Sequence, residues 1–195
     1  QRLDEVLQTL TILEMRDSAT VRDVATVMQR MEMIRRITSE INEYLEELGS
    51  EGRLLALQVD DLVRGSGSER ALVLRDYTRD ASAVSTAEAA LSELASDRLV
   101  DLAAIANVLG LGVYDPTDLD RTIQPRGVRA LSLVPRLPWN VIKDITSHWE
   151  NLADLREATL EDLQQIEGIG PYRAKLIRET LENQFSMAAT GIVGW

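Results

Sequence analysis

Residues 165–177 read QIEGIGPYRAKLI, and this stretch decides how the C-terminal part of the chain folds. Gly168 and Gly170 flank Ile169, and Pro171 follows directly. Glycine accepts a left-handed backbone, and proline suits the first position of a helix because the amide that it lacks would have no partner there. The stretch therefore predicts a tight turn between two helices, with Ile169 pointing into the core.

The end of this turn also predicts a binding site for phosphate. The first amides of a helix have no partner within the helix, and the positive end of the helix dipole strengthens their attraction for an anion. Two cationic side chains and a tyrosine hydroxyl follow within the next turns. We expect a phosphate to meet Gly168, Ile169, Gly170, Tyr172, Arg173 and Lys175.

Residues 134–145 repeat the pattern of residues 166–177 at an offset of 32. The two lysines of the chain, Lys143 and Lys175, fall on equivalent positions. Such a repeat indicates a second helical hairpin. In this copy the sequence PRLP replaces the glycine turn, so we expect its backbone to approach a phosphate less freely. Arg136 and Lys143 are accordingly the weaker candidates for phosphate contact.

The other ring side chains near the repeat are assigned to structure. We expect Trp139 and Trp149 to pack in the core between the two copies, and stacking on a nucleic-acid base is the alternative. His148 is expected on a helix surface or partly buried, because a lone histidine in a chain without cysteine cannot build a metal cluster. The sequence therefore indicates no metal ligand and no catalytic residue.

The net charge of −11 is unevenly distributed along the chain. Residues 1–120 hold 12 arginines against 23 acidic residues, whereas residues 121–183 are neutral. An evenly acidic protein would repel nucleic acid. The acidic excess lies outside the repeat, so the charge does not exclude a phosphate site there.

Apolar residues spaced three and four apart predict a helix from Leu3 to about Met15 and a long one from Val21 to Leu48. Shorter helices are predicted at roughly 52–64, 69–80, 86–96 and 98–109, and no run alternates with period two. The fold class is all-α. The predicted organisation is a helical linker or spine at 1–112, a connecting segment at 113–130, tandem hairpins at 131–185 and a disordered tail at 186–195.

Localisation is predicted from what the sequence lacks. No run of about 20 apolar residues can span a bilayer, no signal-peptide core is present and no disulfide is available. We therefore expect a cytoplasmic protein with no membrane partner. The chain opens on Gln1 within a helical pattern, which suggests a fragment.

Two segments carry a resemblance to known families. The Gly-Ile-Gly turn with Ala174 four residues later is similar to the helix-hairpin-helix motif of DNA-binding proteins that read no sequence. The resemblance to the DNA-integrity-scanning diadenylate cyclase family is carried by residues 124–181, QPRGVRALSLVPRLPWNVIKDITSHWENLADLREATLEDLQQIEGIGPYRAKLIRETL, and by residues 10–63, LTILEMRDSATVRDVATVMQRMEMIRRITSEINEYLEELGSEGRLLALQVDDLV. Together these segments extend over most of residues 1–185.

The resemblance implies a helical spine followed by a tandem helix-hairpin-helix domain of the RuvA domain 2-like type. It further implies DNA as the partner, branched and bound without sequence specificity, and an octamer in the full-length protein. ATP and a divalent metal, Mg or Mn, are expected only in a separate catalytic domain that makes cyclic di-AMP. That domain's Asp-Gly-Ala and Arg-His-Arg motifs do not occur here, so we expect no enzyme activity and no cofactor in this chain.

Two other functions fit parts of the sequence. An all-α module that serves only oligomerisation or protein contacts would suit the acidic long-helix part, and its hairpins would not touch DNA. A hairpin-containing DNA glycosylase would need a catalytic aspartate on a helix beyond the turn. Only Glu179 and Glu182 follow, which argues against the glycosylase.

Overall fold

The computed structural model describes residues 2–78 and 81–190, and within these ranges the protein is all-α, with no strand beyond one isolated bridge between Thr20 and Thr122. Two 3-10 turns span Ser96–Val100 and Pro116–Asp120. The helices are α1 (Arg2–Met15), α2 (Val21–Glu47), α3 (Gly52–Val63), α4 (Ser66–Tyr77), α5 (Ala81–Glu93), α6 (Leu102–Val108), α7 (Val128–Ser132), α8 (Trp139–His148), α9 (Leu152–Glu157), α10 (Leu160–Leu163) and α11 (Pro171–Thr190). None of these helices combines the length and the apolar composition that crossing a membrane requires.

Helix α2 organises the N-terminal part of the molecule. Its start is fixed by a reciprocal cap, in which the hydroxyl of Thr20 accepts from the amide of Asp23 and the Asp23 carboxylate accepts from the amide of Thr20. Its first half is buried from Val21 to Met31 against α1, α4 and α6. The predicted helix at 98–109 divides at Asp101, whose carboxylate caps α6 through the amides of Ala103 and Ala104.

A buried ion cluster ties α2 to its neighbours. The Glu32 carboxylate is fully buried and accepts hydrogen bonds from Arg35, Arg36 and Arg70 at 2.7 to 3.1 Å. Burial raises the pKa of Glu32, but the bonds from Arg35 and Arg36 outweigh it and hold the pKa below its usual range. Arg36 also donates to the carbonyls of Leu91 and Leu94 at the end of α5. The N-terminal core around α2, the first of two, is therefore stabilised by ion pairs as well as by apolar contacts.

The second half of α2 and helix α3 form an arm whose apolar side chains stay exposed. Helix α3 packs against α2, and the two present the side chains of Ile37, Ile41, Tyr44, Leu48, Leu54, Leu55, Leu57 and Leu62, each at least 37% exposed. Ile37, Ile41, Tyr44 and Leu48 recur three or four residues apart and so lie along one face, and a monomeric protein seldom exposes so many large apolar side chains in one element pair.

The C-terminal helices build the predicted pair of hairpins around a second core. The first hairpin is α7 and α8, the second is α10 and α11, and α9 connects them. Leu131, Ile145, Leu163 and Ile177 are all fully buried in this core. Each of the four has its partner at an offset of 32, because 131 pairs with 163 and 145 with 177. The repeat therefore corresponds to a structural duplication.

The expected disorder of the tail at 186–195 is wrong for its first residues. Helix α11 continues to Thr190, and the side chain of Ala188 is 1% exposed. Arg16 of α1 donates from Nη2 to the Ala188 carbonyl at 2.7 Å, so a tertiary contact extends the helix. The rest of that tail, residues 191–195, lies outside the described residues.

The connecting segment predicted at 113–130 is anchored to the helices at several points, although residues 114–117 and 120–122 are exposed. Leu119 is buried against α2, and the amide of Ile123 donates to the Ala19 carbonyl at 2.8 Å. Helix α7 begins within the segment, at Val128. The predicted domain boundaries themselves stay a prediction, since the second core also includes Met15 of α1.

Candidate nucleic-acid interface

The turn of the second hairpin has the predicted left-handed glycine. Gly168 has φ +84°, and a Cβ there would lie 3.4 Å from Cγ2 of Val141 on the first hairpin. Ile169 is 5% exposed and points into the second core, as the sequence predicts. Its amide donates to the Ile166 carbonyl at 3.1 Å, which closes the turn. Ile169 thus holds the turn in place, and its amide is already used.

The amides that follow are available to a ligand. The first bond of α11 runs from the amide of Ala174 to the Gly170 carbonyl at 3.0 Å. The amides of Gly168, Gly170, Tyr172 and Arg173 have no acceptor within the described part of the chain. Gly168, Gly170 and Tyr172 are exposed, so an anion can reach the start of this helix directly.

The three predicted side chains beside these amides, those of Tyr172, Arg173 and Lys175, differ in their exposure and contacts. The ring of Tyr172 is 79% exposed. Arg173 folds back over the turn and donates from Nη1 to the Gly168 carbonyl at 2.5 Å, leaving its other N–H groups to face a ligand. Lys175 forms a 3.5 Å ion pair with Glu179 between two side chains that are 70% and 54% exposed. A pair this exposed contributes little and yields readily to a phosphate.

The first hairpin adopts the same backbone turn without glycine. Arg136 has φ +56° at the position equivalent to Gly168. The amides of Val134, Leu137 and Ile142 donate to the carbonyls three or four residues earlier, as their equivalents do in the second hairpin. The backbone conformation is thus shared, but Pro138 has no N–H where Gly170 offers one. That a phosphate approaches this turn less freely stays a prediction.

Trp139 does not pack in the core as the sequence suggests. Its side chain is 43% exposed, and the guanidinium carbon of Arg75 lies 5.0 Å from its ring centroid. Trp149 does pack, partly buried, against the second core, with its ring edge-on to His148 at 4.4 Å. His148 is exposed at the end of α8.

Arg75 is a residue near the hairpins that sequence reasoning missed. It lies on α4, 64 residues before Trp139, and no pattern in the sequence relates the two. Among the predicted site residues, Arg136 and Lys143 belong to the first hairpin and the other six to the second. All lie in or directly after the two turns, and Lys143 and Lys175 are both exposed.

Comparison with known families assigns both parts of the chain. Residues 1–117 match the family described as the DisA bacterial checkpoint controller linker region. Residues 151–180 match the helix-hairpin-helix motif, and this range contains α9, α10, the glycine turn and the first half of α11.

Curated relatives match across the boundary between the two parts. The DNA integrity scanning protein DisA of Streptomyces coelicolor is 46% identical over 185 residues, which cover 92% of this chain and 49% of that protein. The proteins of the same name from Acidothermus cellulolyticus and Kineococcus radiotolerans are each 45% identical over 92% of this chain, and the match covers 50% and 51% of them. The chain spans about half the length of the curated relatives it matches.

Proposed function

Since the chain belongs to the DisA family, we propose that it is the DNA-binding and regulatory portion of a diadenylate cyclase. In this proposal the second hairpin grips the phosphate backbone of DNA. The observation that carries it is the exposed start of α11, where four amides that find no acceptor among the described residues stand beside two cationic side chains and a glycine turn. Contacts of this kind position a protein on DNA without reading its sequence.

Each predicted residue has a part in this contact. The amides of Gly168, Gly170, Tyr172 and Arg173 would bind one phosphate, while Ile169 holds the turn. The charges of Arg173 and Lys175 would meet the same or the next phosphate. Arg136 and Lys143 would act in the same way from the first hairpin, with fewer backbone donors.

The finer parts of the proposal concern the whole protein. We propose that the preferred DNA is branched, such as a recombination intermediate or a Holliday junction, and that the protein serves DNA repair near the bacterial nucleoid. ATP and a divalent metal would bind in the half of the relatives that this chain does not span. DNA binding at the hairpins would then regulate the synthesis of cyclic di-AMP, transmitted through the helical linker.

A mobility-shift experiment tests the DNA contact. The chain is titrated into duplex DNA and a four-way junction at several salt concentrations, and we expect binding that weakens linearly in a log–log plot. Lys175→Ala should reduce the slope by about one unit if Lys175 meets a phosphate.

Arg53→Ala is the matched control, because Arg53 is an exposed cation on α3, away from both hairpins. Its slope should equal that of the unchanged chain. An unchanged slope for Lys175→Ala would remove that residue from the site. Absence of binding to either DNA at low salt would overturn the proposed function.

The exposed arm of α2 and α3 favours a second role beside DNA binding. We propose that this apolar surface contributes to a homo-oligomer, an octamer in the full-length protein. Sedimentation of the chain tests the role: Leu62→Glu, at a side chain that is 85% exposed, should lower the mass without altering the helical content. A monomer at all concentrations would leave the arm without this role in the isolated chain.

A further inference from the structure

A basic cleft lies beside the first hairpin, between α4, α5 and α8. It has a volume of about 320 Å³ and is lined by Arg75, Arg126, Lys143 and Trp139, with Val84, Val128, Thr146 and Ser147. Among the described residues that line the cleft, three are cations and none is a carboxylate. In a chain with a net charge of −11, a cleft of this composition is an exception that points to an anionic ligand.

The three cations of the basic cleft have different contacts. Arg75 stacks over the ring of Trp139, a contact that uses the flat face of the guanidinium and leaves its in-plane N–H groups for an acceptor. Within residues 2–78 and 81–190, neither Arg75 nor Lys143 has a carboxylate partner. Arg126 is fixed in the wall by a 3.0 Å bond from Nη2 to the Thr146 carbonyl.

The two sides of the basic cleft belong to different parts of the molecule but form one rigid unit. Asp76, next to Arg75 at the end of α4, accepts from the amides of Val128 and Arg129 at 2.6 and 2.9 Å. These bonds fasten α4 to the first turn of α7. Arg75 of the linker therefore keeps a fixed position relative to Lys143 of the hairpin.

We propose that the basic cleft binds a phosphate of the DNA backbone and extends the DNA contact from the hairpins onto the linker. The inference rests on the proposed function. It is favoured over a site for free phosphate because Lys143 is the repeat equivalent of Lys175, so the cleft continues the proposed interface. A duplex bound at the hairpins would then also contact Arg75 on α4, so that DNA binding acts directly on the linker.

The test compares two substitutions that remove the same charge in the full chain. Arg75→Gln should lower the salt slope of DNA binding by about one unit and weaken binding about eightfold at 0.1 M salt. Arg53→Gln, on α3, should change neither. Lys143→Gln, an exposed residue, gives a second view of the cleft, and thermal unfolding of each variant shows that the fold is kept.

A second titration distinguishes DNA from free phosphate. Inorganic phosphate is added to the chain while the indole NMR signal of Trp139, assigned with Trp139→Phe, is followed. The inference is upheld if Arg75→Gln lowers the DNA slope. It is overturned if DNA binds but Arg75→Gln has the slope of the unchanged chain, whether or not phosphate shifts the indole signal, and the hairpin site then still stands. If the unchanged chain binds no DNA, both proposals fall.

Discussion

Arg136 occupies a backbone conformation that only glycine adopts without strain. Its φ of +56° costs a residue with a side chain about 1 kcal/mol. The equivalent position in the second hairpin is Gly168, which has no such cost. The strain at Arg136 is therefore offset elsewhere, and its exposed guanidinium lies in a turn where a DNA backbone would pass.

Substitution of this residue separates stability from binding. Arg136→Gly should raise the free energy of unfolding by about 0.5 to 1 kcal/mol, because the left-handed strain is relieved. The same change should lower the salt slope of DNA binding by up to one unit, because a cation is lost. Urea unfolding and mobility shifts measure the two effects. A stabilised variant with an unchanged slope would show that Arg136 contacts no phosphate.

Tyr172 places a neutral side chain at the proposed phosphate site. Its ring is 79% exposed beside the exposed backbone at the start of α11. Tyr172→Arg should tighten DNA binding and raise the salt slope by about one unit, since a cation would stand at the start of the helix. Tyr114→Arg, at a side chain that is 95% exposed in the connecting segment, is the control. Equal gains from both variants would mean that added charge acts without a specific contact.

The residues of the second hairpin could be predicted because their roles are local. Gly168, Ile169 and Pro171 each act on the turn in which they stand, so chain order alone reveals them. The left-handed Arg136 could not be foreseen, since the packing of the duplicated hairpin imposes it. Arg75 could not be foreseen either, because its partner Trp139 lies on a helix that is distant in sequence.

At the scale of elements, helix α7 depends on a side chain from another helix. It has only five residues, and the Asp76 carboxylate of α4 accepts from its first two amides. Burial, together with the neighbouring charge of Glu14, raises the pKa of Asp76 to about 7. Burial likewise raises the pKa of Glu14 above its usual range, although Arg129 opposes the shift. This junction therefore binds a proton more readily than the unfolded chain does.

The raised pKa predicts that stability falls as the pH rises from about 5 to 8. In the folded chain Asp76 keeps its proton up to about pH 7, whereas the unfolded aspartate loses it near the ordinary value of 3.8. The folded state thus binds more protons throughout this window, and each step upward in pH favours unfolding. Urea unfolding at pH 5, 6, 7 and 8 measures the trend.

Asp76→Asn is the matched variant for this measurement. It removes the titrating group, so its unfolding free energy should depend less on pH, although one cap bond to α7 is lost. Carboxylates with lowered pKa values, such as Asp118 and Asp162, change the unfolding free energy only below about pH 5, so they do not contribute to the trend between pH 5 and 8. Stability that rises between pH 5 and 8 would contradict the assignment.

At the scale of the whole molecule, the linker and the hairpins share an interface that the sequence did not reveal. Helix bounds followed from apolar spacing, because spacing reports which face of one helix is buried. Which helices then meet depends on contacts between distant residues. Met15 of α1 and Leu72 of α4 join the second core, and the Glu14–Arg129 pair lies between the two parts. The linker and the hairpins are therefore joined by apolar contacts and by a buried ion pair.

This interface predicts that the chain unfolds in one transition. The Glu14 carboxylate accepts from Arg129 at 2.9 Å and from the hydroxyl of Tyr77 at 2.7 Å, and all three side chains are buried. Glu14→Ala would remove the carboxylate that bonds directly to the buried Arg129 guanidinium, with Glu69 at 3.8 Å and Asp76 remaining nearby, and should cost about 3 kcal/mol. Because apolar pairs of similar volume replace buried ion pairs at little cost, Glu14→Leu combined with Arg129→Met should cost less than Glu14→Ala alone.

Calorimetry and circular dichroism test the single transition and should give coincident midpoints for the unchanged chain. Two separate transitions would mean that the linker and the hairpins fold independently, so that a DNA contact at the hairpins would have no rigid path into the linker. A double variant less stable than Glu14→Ala would show instead that apolar side chains cannot replace this ion pair at little cost.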